Sequence, residues 1–176
     1  GLLMASELSA LDQALGNPER PVCAITGGSK ISTKLSVLNN LIKKTDKLIL
    51  GGAMANTFLY AQGAAIGDSM CEKEMKEEAL SIMTEATKQR CEIILPSDCI
   101  CVEEIQPGAS HTIMPAHEIK EGFRAIDIGP ETIKKLDEVI SSSKTLVWNG
   151  PMGVFEIKPF DNGTNAVAEI VARQTA

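Results

Sequence analysis

Aromatic residues are scarce in this sequence, 3% of its 176 positions, and it holds only two histidines. So thin an aromatic supply argues against a base-stacking platform or an antibody-like paratope. No apolar run approaches the roughly 18 residues that a membrane span needs, which excludes a transmembrane protein. Basic residues are outnumbered by acidic ones, 17 to 23, for a net charge of −6. Without a basic face the chain has no general grip on nucleic acid.

No Cys-x-x-Cys occurs. Of the five cysteines (Cys23, Cys71, Cys91, Cys99 and Cys101) only Cys99 and Cys101 are close together. In an extended segment they share one face, where His111 and His117 could join them. The spacing is not that of a usual metal site, so the cysteines read as free thiols in a reducing cytoplasm, several of them buried as small hydrophobes. The start, Gly1-Leu2-Leu3-Met4, has no initiator Met, no basic flank and no secretory cleavage pattern, and reads as an excerpt or a processed chain.

The remaining composition, 44% hydrophobic and 23% charged, is that of one soluble globular domain with a real core. Leu8, Leu11 and Leu15 predict an amphipathic helix over 4–15, stopped by Gly16-Asn17-Pro18. Val22-Cys23-Ala24-Ile25-Thr26 reads as a buried strand closed by Gly27-Gly28. Ile31, Leu35, Leu38 and Leu41-Ile42 then fall on one helical face. Lys47-Leu48-Ile49-Leu50 is the next strand, closed by Gly51-Gly52 and followed by a short helix over 53–60. The pattern over 71–90 is the longest helical one, with Met75, Leu80, Met83 and Ala86 near one face.

Glu92-Ile93-Ile94-Leu95 reads as a strand, and 100–105 as a further short extended piece. Residues 106–124 read as loop with a little helix or edge strand. Ala125-Ile126-Asp127-Ile128 is a strand, followed by a helix from Pro130 to about Ser141. Thr145-Leu146-Val147-Trp148 is the last strand, and 164–173 a closing helix with Ala166, Ile170 and Val171 inward. Short, apolar strands alternating with helices predict an α/β fold: a Rossmann-like, open, mainly parallel sheet with helices on both faces, three layers in all.

In such a sheet ligands bind at the carboxyl ends of the strands. Here the ends carry Thr26-Gly27-Gly28, Leu50-Gly51-Gly52, Ile128-Gly129-Pro130 and Trp148-Asn149-Gly150-Pro151. Glycine serves turns in every fold of this class. Four ends sharing it at one edge point further, to a crevice where a phosphate or a flat ring approaches the backbone. After the first end come Lys30 and Lys34, four apart, so that on a helix they share a face beside the unpaired N–H groups of its first turn. A polyanion such as a triphosphate suits that place. After the last end, Val154 and Phe155 offer apolar surface to a base, and Glu156 can accept from paired ribose hydroxyls.

These segments resemble the carboxyl-terminal, nucleotide-binding domain of the phosphoglycerate kinase family, with the markers in the family's order. They are Gly27-Gly28-Ser29-Lys30 with Lys34, Gly51-Gly52-Ala53-Met54-Ala55-Asn56-Thr57-Phe58, Asp127-Ile128-Gly129-Pro130-Glu131-Thr132, the run from Trp148 to Glu156, and Phe160-Asp161-Asn162-Gly163-Thr164. The resemblance implies reversible phosphoryl transfer between 1,3-bisphosphoglycerate and ADP in glycolysis, with Mg2+, in a cytoplasmic and usually monomeric enzyme. It implies that Lys30 stabilises the phosphoryl group in flight and that Lys34 holds the nucleotide's phosphates. Ser29, Gly51 and Gly52 would lie along the adenine pocket, with Gly129 bordering it. Asn149, Pro151, Gly153 and Val154 would line the nucleotide's other side, and Glu156 would hold the ribose.

The family often has Ala where Ser29 stands and a third Gly where Ala53 stands. Its amino-terminal domain, which binds 3-phosphoglycerate or 1,3-bisphosphoglycerate, and its Gly-Gly-Gly-Asp-Thr turn with the magnesium-binding Asp have no counterpart in 1–176. The expectation is therefore an ADP/ATP-binding half, inactive alone and a weak nucleotide binder. A dinucleotide-binding redox domain on a similar sheet would need G-x-G-x-x-G after the first strand, and Gly27-Gly28-Ser29-Lys30 fails that pattern. A non-enzymatic nucleotide- or partner-binding module is the other alternative.

Overall fold

The computed structural model describes residues 2–4, 16–150, 152 and 161–175. Five parallel strands form the central sheet. They are β1 (Leu2–Met4), β2 (Val22–Thr26), β3 (Lys47–Leu50), β5 (Glu92–Ile94) and β10 (Thr145–Asn149), in the order β1-β10-β2-β3-β5. The intervening β4 (Ala65–Ile66) pairs with β8 (Glu118–Ile119) in a small ribbon.

The strand period of two sorts side chains between two cores. Val22, Ala24, Leu48, Leu50 and Val147 point to one face. There they meet α1 (Leu35–Lys44), α2 (Ala53–Ala61) and α3 (Lys76–Lys88) through Leu38, Leu41, Phe58 and Ile82. Cys23, Ile25, Ile49, Leu146 and Trp148 point to the other. There they meet α4 (Pro130–Ser141) and α5 (Asn162–Thr175) through Leu136, Ile140, Val167 and Ile170. Both faces are thus covered by helices, as the apolar strand pattern predicts.

A second, antiparallel sheet adds what that pattern did not foresee. β6 (Asp98–Val102) lies between β7 (His111–Pro115) and β9 (Arg124–Ile128). The run over 125–128 therefore leaves the parallel series, and 106–124 contains two strands. Cys99 and Cys101 project from β6 into a third core with Leu59, Ile66, Met114 and Ile119.

Three local readings are corrected. Met4 belongs to β1, and the rest of the predicted helix over 4–15 lies outside the described residues. Residues 31–34 form a tight turn, with the Lys34 N–H bonded to the Ile31 carbonyl at 2.8 Å, and α1 begins only at Leu35. The Thr33 hydroxyl donates to the Lys30 carbonyl at 3.1 Å, a local bond that competes with helix. Lys30 and Lys34 consequently do not share a helical face. In α5, Ile170 and Val171 are buried as expected and Val167 joins them, while Ala166 is only half-buried.

Two buried aspartates hold helix starts from outside. The Asp98 carboxylate accepts the Glu131 and Thr132 N–H groups of α4 at 3.1 and 2.9 Å, and the Thr132 hydroxyl at 2.6 Å. Asp127 accepts the Gly163 N–H of α5 at 2.8 Å. Each satisfies backbone donors that a helix leaves unpaired in its first turn.

Candidate functional site

The ends of β10, β2 and β3 lie in register, Asn149 beside Thr26 and Thr26 beside Leu50. Their loops touch through backbone. Gly27 N–H donates to the Asn149 carbonyl at 2.8 Å, Gly52 N–H to the Met152 carbonyl at 3.1 Å, and Met54 N–H to the Gly28 carbonyl at 3.0 Å. Gly52, at φ +72, leaves no room for a Cβ, which would strike the Gly28 carbonyl oxygen. Gly150, at φ +88, is closed in the same way by Gly27. These glycines answer first to loop-on-loop packing, a requirement that a reading centred on ligand approach does not contain.

A cavity of about 710 Å³ opens between these loops and the antiparallel sheet, a volume within the roughly 300–1,000 Å³ of small-molecule sites. Gly28, Ser29, Gly52, Ala53 and Asn56 line one wall. Arg124, Ala125, Ile126, Asp127 and Ile128 of β9 line the facing wall, with Asp68, Met70, Pro96, Cys99, Ile105 and Met152 completing it. Met70 and Ile105, 62% and 43% exposed, give the rim two apolar lips. Arg124 pairs with Asp68 at 3.6 Å and donates to the Glu103 carbonyl.

Of the residues singled out from sequence, Ser29 and Gly52 line this cavity. Lys30 is exposed on the same loop as Ser29. Lys34 is half-buried and its ammonium donates to the Asn149 side-chain carbonyl; Lys30, Lys34 and Asn149 are not among the described cavity-lining residues. Burial lowers the Lys34 pKa. Gly51 is buried against Met152, and Gly129 packs on the Asp98 carboxylate with its N–H donating to the Asp98 carbonyl at 3.0 Å. Neither is among the described cavity-lining residues. Pro151, Gly153, Val154 and Glu156 lie outside the described residues.

The sequence reading did not single out Asn56, Asp68, Met70, Ile105 or Arg124 as site residues. Asn56 and Asp127, both in the lining, lay inside the family markers, and Asp127 carried a further signal as an acid within an apolar strand run. Its carboxyl is pushed up to about 6 by burial, with Asp161 adding to the effect, against the lowering influence of the Gly163 and Ile128 N–H groups.

Four of the thiols are buried and Cys71 is half-buried; all five are unpaired. Burial holds Cys23, at about 12, and Cys101, at about 11, in the thiol form. Among the described residues no group of three or more His, Cys, Asp and Glu could hold a metal ion, so Cys99, Cys101, His111 and His117 do not assemble. No described helix is long and apolar enough to cross a membrane.

A family model described as phosphoglycerate kinase matches residues 1–176. The phosphoglycerate kinase of Rhodospirillum centenum is 51% identical over 175 residues, 99% of this chain and 44% of that protein. That of Rhizobium meliloti is 47% identical over 175 residues, again 99% of this chain and 44% of that protein. The solved phosphoglycerate kinase of Coxiella burnetii superposes with a TM-score of 0.90 at 42% identity, over 96% of this chain and 44% of that one. That of Pyrococcus horikoshii OT3 gives 0.79 at 25% identity, over 96% and 43%. The chain thus spans less than half the length of these relatives.

Proposed function

Because this chain belongs to the phosphoglycerate kinase family, we propose that residues 1–176 form the ADP/ATP-binding half of such an enzyme. The reaction is reversible phosphoryl transfer from 1,3-bisphosphoglycerate to ADP, giving 3-phosphoglycerate and ATP. The phosphoglycerate substrate is assigned to polypeptide outside these residues, which span 44% of the relatives' length.

The observation that carries the reading is a single loop, 28–34, that lines the cavity at Gly28 and Ser29 and continues into Lys30 and Lys34. Phosphoryl transfer asks mainly for positioning and for charge stabilisation. The base enters the cavity along Ser29 and Gly52, between the Met70 lip and Ile126, while Gly51 and Gly129 back its walls. Lys34, already turned toward Asn149, holds the phosphates. Lys30 has no helix to fix it, reaches the transferred phosphoryl group and offsets its developing charge. Asn149, Pro151, Gly153 and Val154 flank the nucleotide's other side, and Glu156 takes the ribose hydroxyls.

The cavity's two carboxylates do not fit a magnesium site, since Asp68 pairs with Arg124 and Asp127 accepts two backbone N–H bonds. Mg2+ enters this reading only with the nucleotide, as the counter-ion of ADP or ATP.

Trp148 supplies the test. Its ring is buried in the α4/α5 core and its Nε1–H donates to the Gly150 carbonyl at 2.6 Å, on the loop packed against Gly27. ADP and ATP should change its fluorescence, and NAD should do so less. Silence toward all three up to millimolar concentration would contradict the reading.

A further inference from the structure

The loop that carries Lys30 and Lys34 is not helical, so something other than helix bonding must set its shape. Ile31, fully buried, anchors its middle. Its outer side is held by one carboxylate. Glu72 accepts the Ser32 N–H at 3.2 Å and the Ser32 hydroxyl at 2.6 Å, across 40 residues of sequence.

Glu72 is itself fixed. Its own N–H donates to the Thr57 hydroxyl of α2 at 3.0 Å, and two residues earlier the Met70 carbonyl accepts from the Asn56 amide at 3.1 Å. One residue further back, the Ser69 hydroxyl accepts the Ala125 N–H of β9 at 2.8 Å. The segment 69–72 is therefore stitched to α2 and to β9, and Glu72 passes that rigidity to the lysine loop. Its carboxyl pKa is lowered overall. Burial raises it, but the bonds from Ser32 and Ile31 and the charge of Lys30 outweigh that effect.

We propose that Glu72 is a positioning residue of the nucleotide site: it holds the 29–34 loop so that Lys30 and Lys34 face the phosphates. The inference rests on the nucleotide-binding reading above. It makes a prediction of opposite sign to simple electrostatics. Deleting an acid beside two phosphate-facing lysines should, by charge alone, tighten binding of an anion. Deleting a positioning carboxylate should weaken it.

The test is calorimetric titration of the chain and of Glu72→Gln, Glu72→Ala, Ser32→Ala and Lys34→Ala with ADP and with adenosine, at one fixed ionic strength. Charged hydrogen bonds of this kind predict that Glu72→Ala weakens ADP by about tenfold, that Glu72→Gln, whose amide oxygen still accepts from Ser32, weakens it less, and that both leave adenosine unchanged. Ser32→Ala should weaken ADP less and add little on top of Glu72→Ala. Tighter or unchanged ADP binding in Glu72→Ala overturns the proposal, as does an equal loss for ADP and adenosine. If Lys34→Ala leaves ADP affinity untouched, or if the parent chain binds no ADP, the site reading itself falls and the inference with it.

Discussion

The Lys34 ammonium donates to the side-chain carbonyl of Asn149, joining the loop after β2 to the end of β10 across 115 residues of sequence. The contact presets a cation at the end of β10, on the loop whose Ser29 lines the cavity, at the cost of partial burial that lowers its pKa. A lysine held there by one neutral acceptor can exchange that acceptor for a phosphate.

Lys34→Ala should therefore lower ADP affinity by about tenfold, the worth of one charged hydrogen bond, while leaving adenosine binding intact. Raising the pH should begin to weaken ADP binding below the range of an exposed lysine, because the folded pKa is depressed. Calorimetry with both ligands across pH checks this; equal loss of both ligands would make Lys34 a structural residue only.

Gly52 and Gly63 both have positive φ, at +72 and +93, but only Gly52 faces backbone, the Gly28 carbonyl. Gly63→Ala should cost about 1 kcal/mol, the strain of the conformation alone. Gly52→Ala adds a clash that cannot relax without separating two site loops, and should cost more than about 2 kcal/mol. Denaturant unfolding of the two variants decides; equal losses would refute the packing argument.

Asp127 couples the cavity wall to stability. Its folded pKa, about 6, lies above the ordinary 3.8, so the folded protein binds this proton more tightly than the unfolded chain. Its contribution is most favourable below about pH 4 and is lost as the pH rises to about 6, an effect on the order of 3 kcal/mol. Asp127→Asn should remove that part of the pH dependence. Parallel stability curves for the two proteins between pH 4 and 6 would contradict the assignment.

Asp98 secures α4 through two backbone N–H groups and the Thr132 hydroxyl, all buried or half-buried. Asp98→Ala should destabilise by about 2–3 kcal/mol, since it orphans several donors at once. A loss under about 0.5 kcal/mol on thermal or chemical unfolding would show that the helix start does not depend on this carboxylate.

The elements legible in sequence were those whose signal is local. β2 and β3 and the helix after Pro130 appear with the expected bounds because apolar runs end there at glycine or proline. Two kinds of information were not local. The run over 125–128 looks the same whether its strand joins the parallel sheet or pairs antiparallel with β6, and only long-range pairing decides it. Ile31 has helical spacing to Leu35 but is buried from a turn, so the pattern placed Lys30 and Lys34 on one helix. In the site, Ser29 and Gly52 were reachable from the strand-end rule. Met70, Ile105 and Arg124 were not, since their side chains reach the cavity from loops and from the second sheet.

A crystal structure of this chain soaked with ADP tests the central claim most directly. The account predicts the base in the cavity between Ser29, Gly52 and Ile126, with the phosphates turned to Lys34 and Lys30. ADP bound elsewhere on the surface, or phosphates directed away from both lysines, would contradict it.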